Sequence, residues 1–186
     1  MDGRGRRGRE AGKVSAYQPD ILTIGLDVVF CGVNPALTAV TDGHNFSNPN
    51  NRFWRAIHLA GFIDRLLAPS EEWKLLEYGC GITAVVTQPT AQAGDLSGAE
   101  MRNSLAPFEA KMRTFAPRVL AFLGKQAISV VPGASRVSWS QQRRRMAGAA
   151  VWVLPNPSGR NRSFTIDALV DAYAELHDCL PHLMRA

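Results

Sequence analysis

Four short apolar runs, each closed by turn-forming residues, limit what this chain can fold into. They are Val28-Val29-Phe30-Cys31, Ile82 to Val86, Val119 to Leu123, and Val151-Trp152-Val153-Leu154. Runs that are apolar at nearly every position, rather than at alternate ones, suit parallel strands covered on both faces. Stretches of helical periodicity separate them, so strand and helix alternate along the chain. The expected fold is α/β, a three-layer sandwich with a central, mainly parallel sheet of four to five strands flanked by helices. Right-handed crossovers then carry the segment after each strand to one sheet edge: Gly32 to Asn34, Thr87 to Thr90, Gly124 to Gln126, and Asn156 to Arg162. Open α/β sheets bind ligands outside the carboxyl ends of their strands, so a single cleft at that edge is the expected site. The first and last strands end alike, on Asn34-Pro35 and on Asn156-Pro157.

The intervening segments are read from their punctuation. Pro35 to Asn51 reads as a long loop, and a loop of that length is more often functional than idle. Arg52 to Ala60 reads as a helix. Pro69-Ser70-Glu71-Glu72 opens another, with a hydroxyl N-cap and acids in its first turn, running to Gly79. Ser97 with Glu100 makes a capping-box pattern, and Pro107 is expected to break or restart that helix before Phe115. A short helix follows Gly124-Lys125-Gln126. A last helix places Ile166, Leu169, Val170, Tyr173, Leu176 and Leu180 on one face. Residues 1–18 are Gly, Arg and small polar residues without periodicity and are expected to be disordered; residues 19–186 are expected to form a single α/β domain.

The formal net charge is +5, but residues 1–13 carry five basic and two acidic side chains, which leaves only +2 for the rest. An acidic partner is therefore argued from where charge gathers. Arg143-Arg144-Arg145, with Arg136 nearby and Arg160 and Arg162 after the last strand, is the strongest cluster. Cys31, Cys80 and Cys179 stand far apart without a CxxC pair, which signals neither a zinc nor an iron–sulfur site and suits a reducing compartment. Cys31, at a strand end, reads as a small buried hydrophobe. No apolar stretch approaches membrane-spanning length, and the Gly/Arg-rich start lacks a signal-peptide core. A soluble, cytoplasmic protein is expected.

The inventory of the sheet edge points away from several chemistries. It holds Asn, Thr, Ser, Gln, Lys and Arg, with no serine–histidine–acid order and no phosphate-binding glycine pattern. Asparagine does not titrate near neutral pH, yet it donates and accepts at once, as a pyrimidine edge does. Asn34 with the aromatic Phe46 could therefore hydrogen-bond and stack a base drawn out of a duplex. Three ionisable residues could assist an attacking water: Asp95 first, because its loop leaves the sheet on the active edge, then Asp42, with His44 beside it.

Taken in order, five segments resemble the mismatch-specific uracil/thymine-DNA glycosylase family. They are Gly32-Val33-Asn34-Pro35, Phe46 to Trp54, Pro89-Thr90, Leu123 to Ala127, and Val153-Leu154-Pro155-Asn156-Pro157-Ser158-Gly159, and the resemblance covers roughly Leu26 to His177. It implies a monofunctional α/β enzyme that hydrolyses the N-glycosidic bond of uracil, or of thymine or a modified pyrimidine, mispaired with guanine in double-stranded DNA. It further implies base flipping, water attack, a place at the start of base-excision repair, and no metal or cofactor. By resemblance Asn34 positions the water, Phe46 lies under the flipped base with Val33 nearby, and Asn156 lines the base pocket. The loop after the last strand resembles one that enters DNA. Its wedge position falls on Arg160, Ser158, Gly159 and Asn161 would meet the opposite strand, and Lys125 and Arg162 would meet phosphates. Two departures stand out: Arg160, where the bacterial branch often has an apolar residue, and Ala36, where many relatives have glycine. No lysine nucleophile is evident, and a monomer acting on double-stranded DNA is expected. Two alternatives remain: a non-catalytic damage-binding protein, and an α/β hydrolase of free nucleosides or nucleotides, against which the arginine-bearing last loop argues.

Overall fold

In the computed structural model, which describes residues 20–91, 93–131 and 137–183, the apolar runs become strands of one sheet. These are β1 (Val28–Gly32), β2 (Cys80–Ala84), β3 (Val119–Leu123) and β5 (Ala149–Leu154), with β4 (Ser140–Met146) at the edge, in the order β2-β1-β3-β5-β4. All pairs are parallel except β4 with β5. The described helices are α1 (Leu37–Asp42), α2 (Phe53–Leu59), α3 (Gly98–Phe115), α4 (Lys125–Ile128) and α5 (Ile166–Leu183), with 3-10 segments at Pro69–Tyr78 and Ala93–Asp95.

The alternation of side chains along each strand divides the interior into two layers. Val28, Phe30, Ala121, Trp152 and Leu154 face α2 and α5, whereas Val29, Cys31, Phe122, Val151 and Val153 face α3 and α4. Phe30 meets Phe53 of α2 and Phe62 edge-on, with ring centroids 5.3 and 5.2 Å apart. Truncating such a buried phenylalanine to alanine costs about 3–5 kcal/mol, so α2 is held firmly against β1. The chain leaves β1 toward β2 and leaves β3 toward β5, in opposite directions along the sheet. That reversal opens a crevice between the carboxyl ends of β1 and β3.

Several expectations need correction. The fifth strand, β4, carries Arg143-Arg144-Arg145, which the sequence groups with Arg160 and Arg162 as one basic cluster. Its register pairs Ser140 with Val153 and Arg145 with Ala150, so the arginines run toward the sheet end opposite the cleft, away from Arg160 and Arg162. Charged residues on an edge strand discourage pairing with other chains, which accounts for them there. Arg136 lies outside the described residues, as does the 1–18 tail. Strand β2 begins two residues earlier than the apolar run, although Val85 and Val86 still donate to the Gly32 and Val33 carbonyls. Helix α3 runs unbroken through Pro107, its capping box formed as read, with the Glu100 amide donating to Ser97 Oγ and the Ser97 amide to the Glu100 carboxylate. The 69–78 segment is a 3-10 helix preceded by Ala68, and Ser70 does not cap it; the Glu71 carboxylate accepts the Ala68 N–H instead. The long loop after Asn34 contains α1. Cys31 is fully buried, and burial pushes its thiol pKa up, in keeping with a packing role.

Candidate active site

A cleft of about 1020 Å³ opens at the carboxyl ends of the parallel strands. Val33, Asn34, Phe46 and Asn156 line it, as do Ser158, Gly159, Arg160 and Arg162.

Asn34 lies two residues beyond the end of β1 and is half-buried. Its Nδ2 donates to the Gln88 carbonyl at 3.1 Å, to Thr90 Oγ1 at 2.7 Å and, less closely, to the Pro35 carbonyl at 3.3 Å. Two carbonyl oxygens around one end of the carboxamide require the NH2 there, which sets the orientation of the group. Its Oδ1 then has no partner among the described residues. The main chain holds the Gln88–Thr90 segment in place, because the Thr90 N–H donates to the Pro35 carbonyl and Ala36 bridges to Thr90.

Phe46 stacks on Phe53 of α2 with ring centroids 4.0 Å apart and planes 25° apart, while the half-buried ring also lines the cleft. Its φ of 53° is left-handed, a conformation that costs a non-glycine residue roughly 1–2 kcal/mol and needs support from its surroundings. Glu72, 3% exposed, supplies that support from the 3-10 helix. Its Oε2 accepts the Asn45 N–H at 2.8 Å and Asn45 Nδ2 at 2.9 Å, and its Oε1 stands 3.3 Å from His44 Nδ1. His44 thus faces Glu72. Ser47, the next cleft residue, has a buried Oγ with no partner among the described residues.

Pro155 to Phe164 forms the second wall. Gly124, at φ +104°, lies so close to Asn156 that a Cβ there would come within 3.2 Å of the asparagine Cβ. Asn156 Oδ1 accepts the Ser158 N–H at 2.8 Å, and Asn161 Nδ2 donates to the Asn156 carbonyl at 2.9 Å. The side chain of Asn161 therefore turns inward and braces the loop. Buried Tyr173 donates from α5 to the Pro155 carbonyl at 3.2 Å, and burial raises its phenol pKa. Arg52, just ahead of α2, donates to four carbonyls of this loop.

Other expected residues stand apart. Asp42 ends α1 and Asp95 ends the 93–95 turn; both are exposed and neither lines the cleft. Lys125 also lies outside the lining, its ammonium 4.9 Å from the centroid of the Trp139 ring. Sequence reasoning missed the roles of Arg52 and Glu72. In the sequence Arg52 falls within the Phe46 to Trp54 segment with nothing to mark a role, and Glu72 reads only as a first-turn acid.

The family model of the uracil DNA glycosylase superfamily matches residues 19–177. The chain belongs to that superfamily. A solution NMR structure of a candidate uracil DNA glycosylase from Methanosarcina acetivorans shares the fold, with a TM-score of 0.55 and 21% identity over 89% of this chain and 96% of that one. In this member of the uracil DNA glycosylase superfamily the cleft has two walls of different character. One is neutral and aromatic, from Asn34 and Phe46; the other is basic, from Arg160 and Arg162. No described helix is long and apolar enough to cross a membrane.

Proposed function

We propose that this chain is a monofunctional DNA glycosylase that hydrolyses the N-glycosidic bond of uracil in double-stranded DNA, with preference for uracil opposite guanine. The observation that carries the reading is the oriented carboxamide of Asn34, its Oδ1 unpartnered among the described residues, in one cleft with the Phe46 ring.

The chemistry follows from those groups. A flipped base stacked on Phe46 gains about 1–3 kcal/mol, as bases do on aromatic platforms. Asn34 Oδ1 accepts a hydrogen bond from one water and so orients the water oxygen toward the sugar C1′; neither partner changes protonation state in that step. The bond between C1′ and the base nitrogen breaks with its electron pair going to the base. The water oxygen bonds C1′, and the proton it releases passes to solvent or to the departing base. Charge builds on the base oxygens, where a fixed donor counts most. The Ser47 hydroxyl, buried beside the platform without a partner among the described residues, is suited to that task. The exposed positions of Asp42 and Asp95 favour a route without a carboxylate base. Opposite the cleft wall, Arg160 would enter the gap left by the flipped nucleotide, where a guanidinium both stacks and reaches phosphate.

Base release from duplexes bearing G·U, A·U and G·T, and from single-stranded uracil, tests the reading. Wild type should release uracil fastest from G·U, and Asn34→Ala should slow release on the order of 100-fold, as loss of a water-orienting or charge-stabilising group does. Wild type that binds the G·U duplex and releases nothing would overturn the catalytic assignment. Full activity in Asp42→Asn and Asp95→Asn is the expected companion result.

A further inference from the structure

We infer that Arg52 is a positioning residue that holds the loop after β5 in its DNA-entering shape before DNA arrives; this rests on the reading of that loop given above. Its Nη1 donates to the Phe164 carbonyl at 2.6 Å, and Nη2 to the carbonyls of Ser158 at 2.9 Å and Asn161 at 2.8 Å. Nε and the Arg52 main-chain N–H both reach the Pro157 carbonyl, at 3.3 and 3.0 Å. One planar fork therefore gathers acceptors spread over eight residues.

Those bonds turn carbonyls inward, and the remaining amides show what is left for a partner. The amides of Ser158, Arg160, Asn161 and Ser163 are each satisfied within the loop. Gly159 N–H and Arg162 N–H have no partner among the described residues, and both residues are exposed and line the cleft. At its exposed turn the loop thus leaves the main-chain N–H groups of Gly159 and Arg162 and two arginine side chains for a partner, which suits a polyanion. Phe53, Ala56 and Ile57, the residues just after Arg52, are buried in the core, which makes the clamp's base rigid. A loop ordered in advance spares the ordering cost on binding. Lysine cannot substitute, because a single ammonium has no fork to span these carbonyls.

The test compares Arg52→Gln and Arg52→Lys with wild type in two measurements that do not depend on catalysis. One is amide hydrogen exchange over residues 157–164 in the free protein. The other is affinity for a duplex carrying a tetrahydrofuran abasic analogue opposite guanine, against the same duplex undamaged. Both variants should exchange faster in that loop while the sheet stays protected, and should lose about tenfold or more in affinity for the abasic duplex only. Equal losses on both duplexes, unchanged exchange, rescue by lysine, or a wild type without preference for the abasic duplex would overturn the inference. Failure of wild type to release uracil would instead overturn the proposed activity and leave these readouts intact.

Discussion

Glu72 offers the sharpest test of how the cleft is built. Its buried carboxylate accepts two hydrogen bonds from Asn45, at 2.8 and 2.9 Å, and Asn45 is itself only 7% exposed. A hydrogen bond to a charged group contributes about 1.5–3 kcal/mol, so Glu72→Ala removes roughly 3–6 kcal/mol from a domain whose whole stability is on the order of 5–15. At about 2–4 °C per kcal/mol for a chain of this size, global melting should fall by about 6–24 °C. The loss reaches the lower end if the 43–47 segment detaches while the sheet remains folded. Glu72→Gln separates geometry from charge, because one amide oxygen can accept both Asn45 donors while the NH2 faces His44. It should cost about 1 kcal/mol.

The functional consequence follows from Phe46 being the next residue, left-handed at φ 53° and stacked on Phe53. With Asn45 released, the ring returns to an ordinary backbone conformation and the platform is lost. Thermal melting paired with single-turnover uracil release reads both effects. Glu72→Ala should lose both stability and rate, and Glu72→Gln should keep most of each. Glu72→Ala melting within 2 °C of wild type, or Gln and Ala behaving alike, would refute the reasoning.

Three other expectations follow. In Gly159→Ala the new Cβ would lie 2.6 Å from the Asn50 carbonyl oxygen and 2.9 Å from Asn50 Cβ, so the two loops must part; about 1–3 kcal/mol of overpacking and slower release from duplex are expected, and unchanged melting and rate would count against the close approach. Pro107→Ala restores an amide inside α3 and should raise stability by about 1–3 kcal/mol in denaturant unfolding; a lower midpoint would show that the proline is accommodated at no cost. Burial pushes the Cys31 thiol up and the Cys80 thiol up to about 12, whereas Cys179 is partly exposed, so a disulfide-exchange reagent near pH 8 should label one thiol in the native protein and three after denaturation. Rapid native labelling of all three would contradict the core assignment.

What was legible in the sequence, and what was not, follows from how each feature is encoded. Strands β1, β3 and β5 are buried on both faces, and that environment writes itself as continuous apolar residues. Edge strand β4 is one-sided and largely exposed, so Ser140 to Arg145 carries only polar and basic residues ahead of the buried Met146, and no apolar run marks it as a strand. Helix α1 has no side-chain cap, and its β-branched Thr38, Val40 and Thr41 are weak helix formers, so nothing in Leu37–Asp42 announces it. Pro107 shows the converse: a local breaker overridden by Phe108 and Met112, which are buried against the sheet.

The same division runs through the candidate site. In the proposed reading Asn34, Phe46 and Asn156 act through their own side chains, at strand ends and in loops where residue type carries information. Arg52 acts on carbonyls 105 to 112 positions away, and every residue in a protein has a carbonyl. Nothing at Pro157, Ser158, Asn161 or Phe164 could mark it as an acceptor for that guanidinium. Glu72 is hidden for a related reason: a glutamate in a first turn ordinarily complements the helix dipole at the surface, and only the packing of the 69–78 segment turns it inward onto Asn45. Groups that touch the substrate are therefore legible from residue chemistry, whereas groups that hold those groups in place become visible only when the chain is folded. It follows that substitutions at Arg52 and Glu72, chosen from geometry, should separate positioning from chemistry more cleanly than substitutions at Asn34.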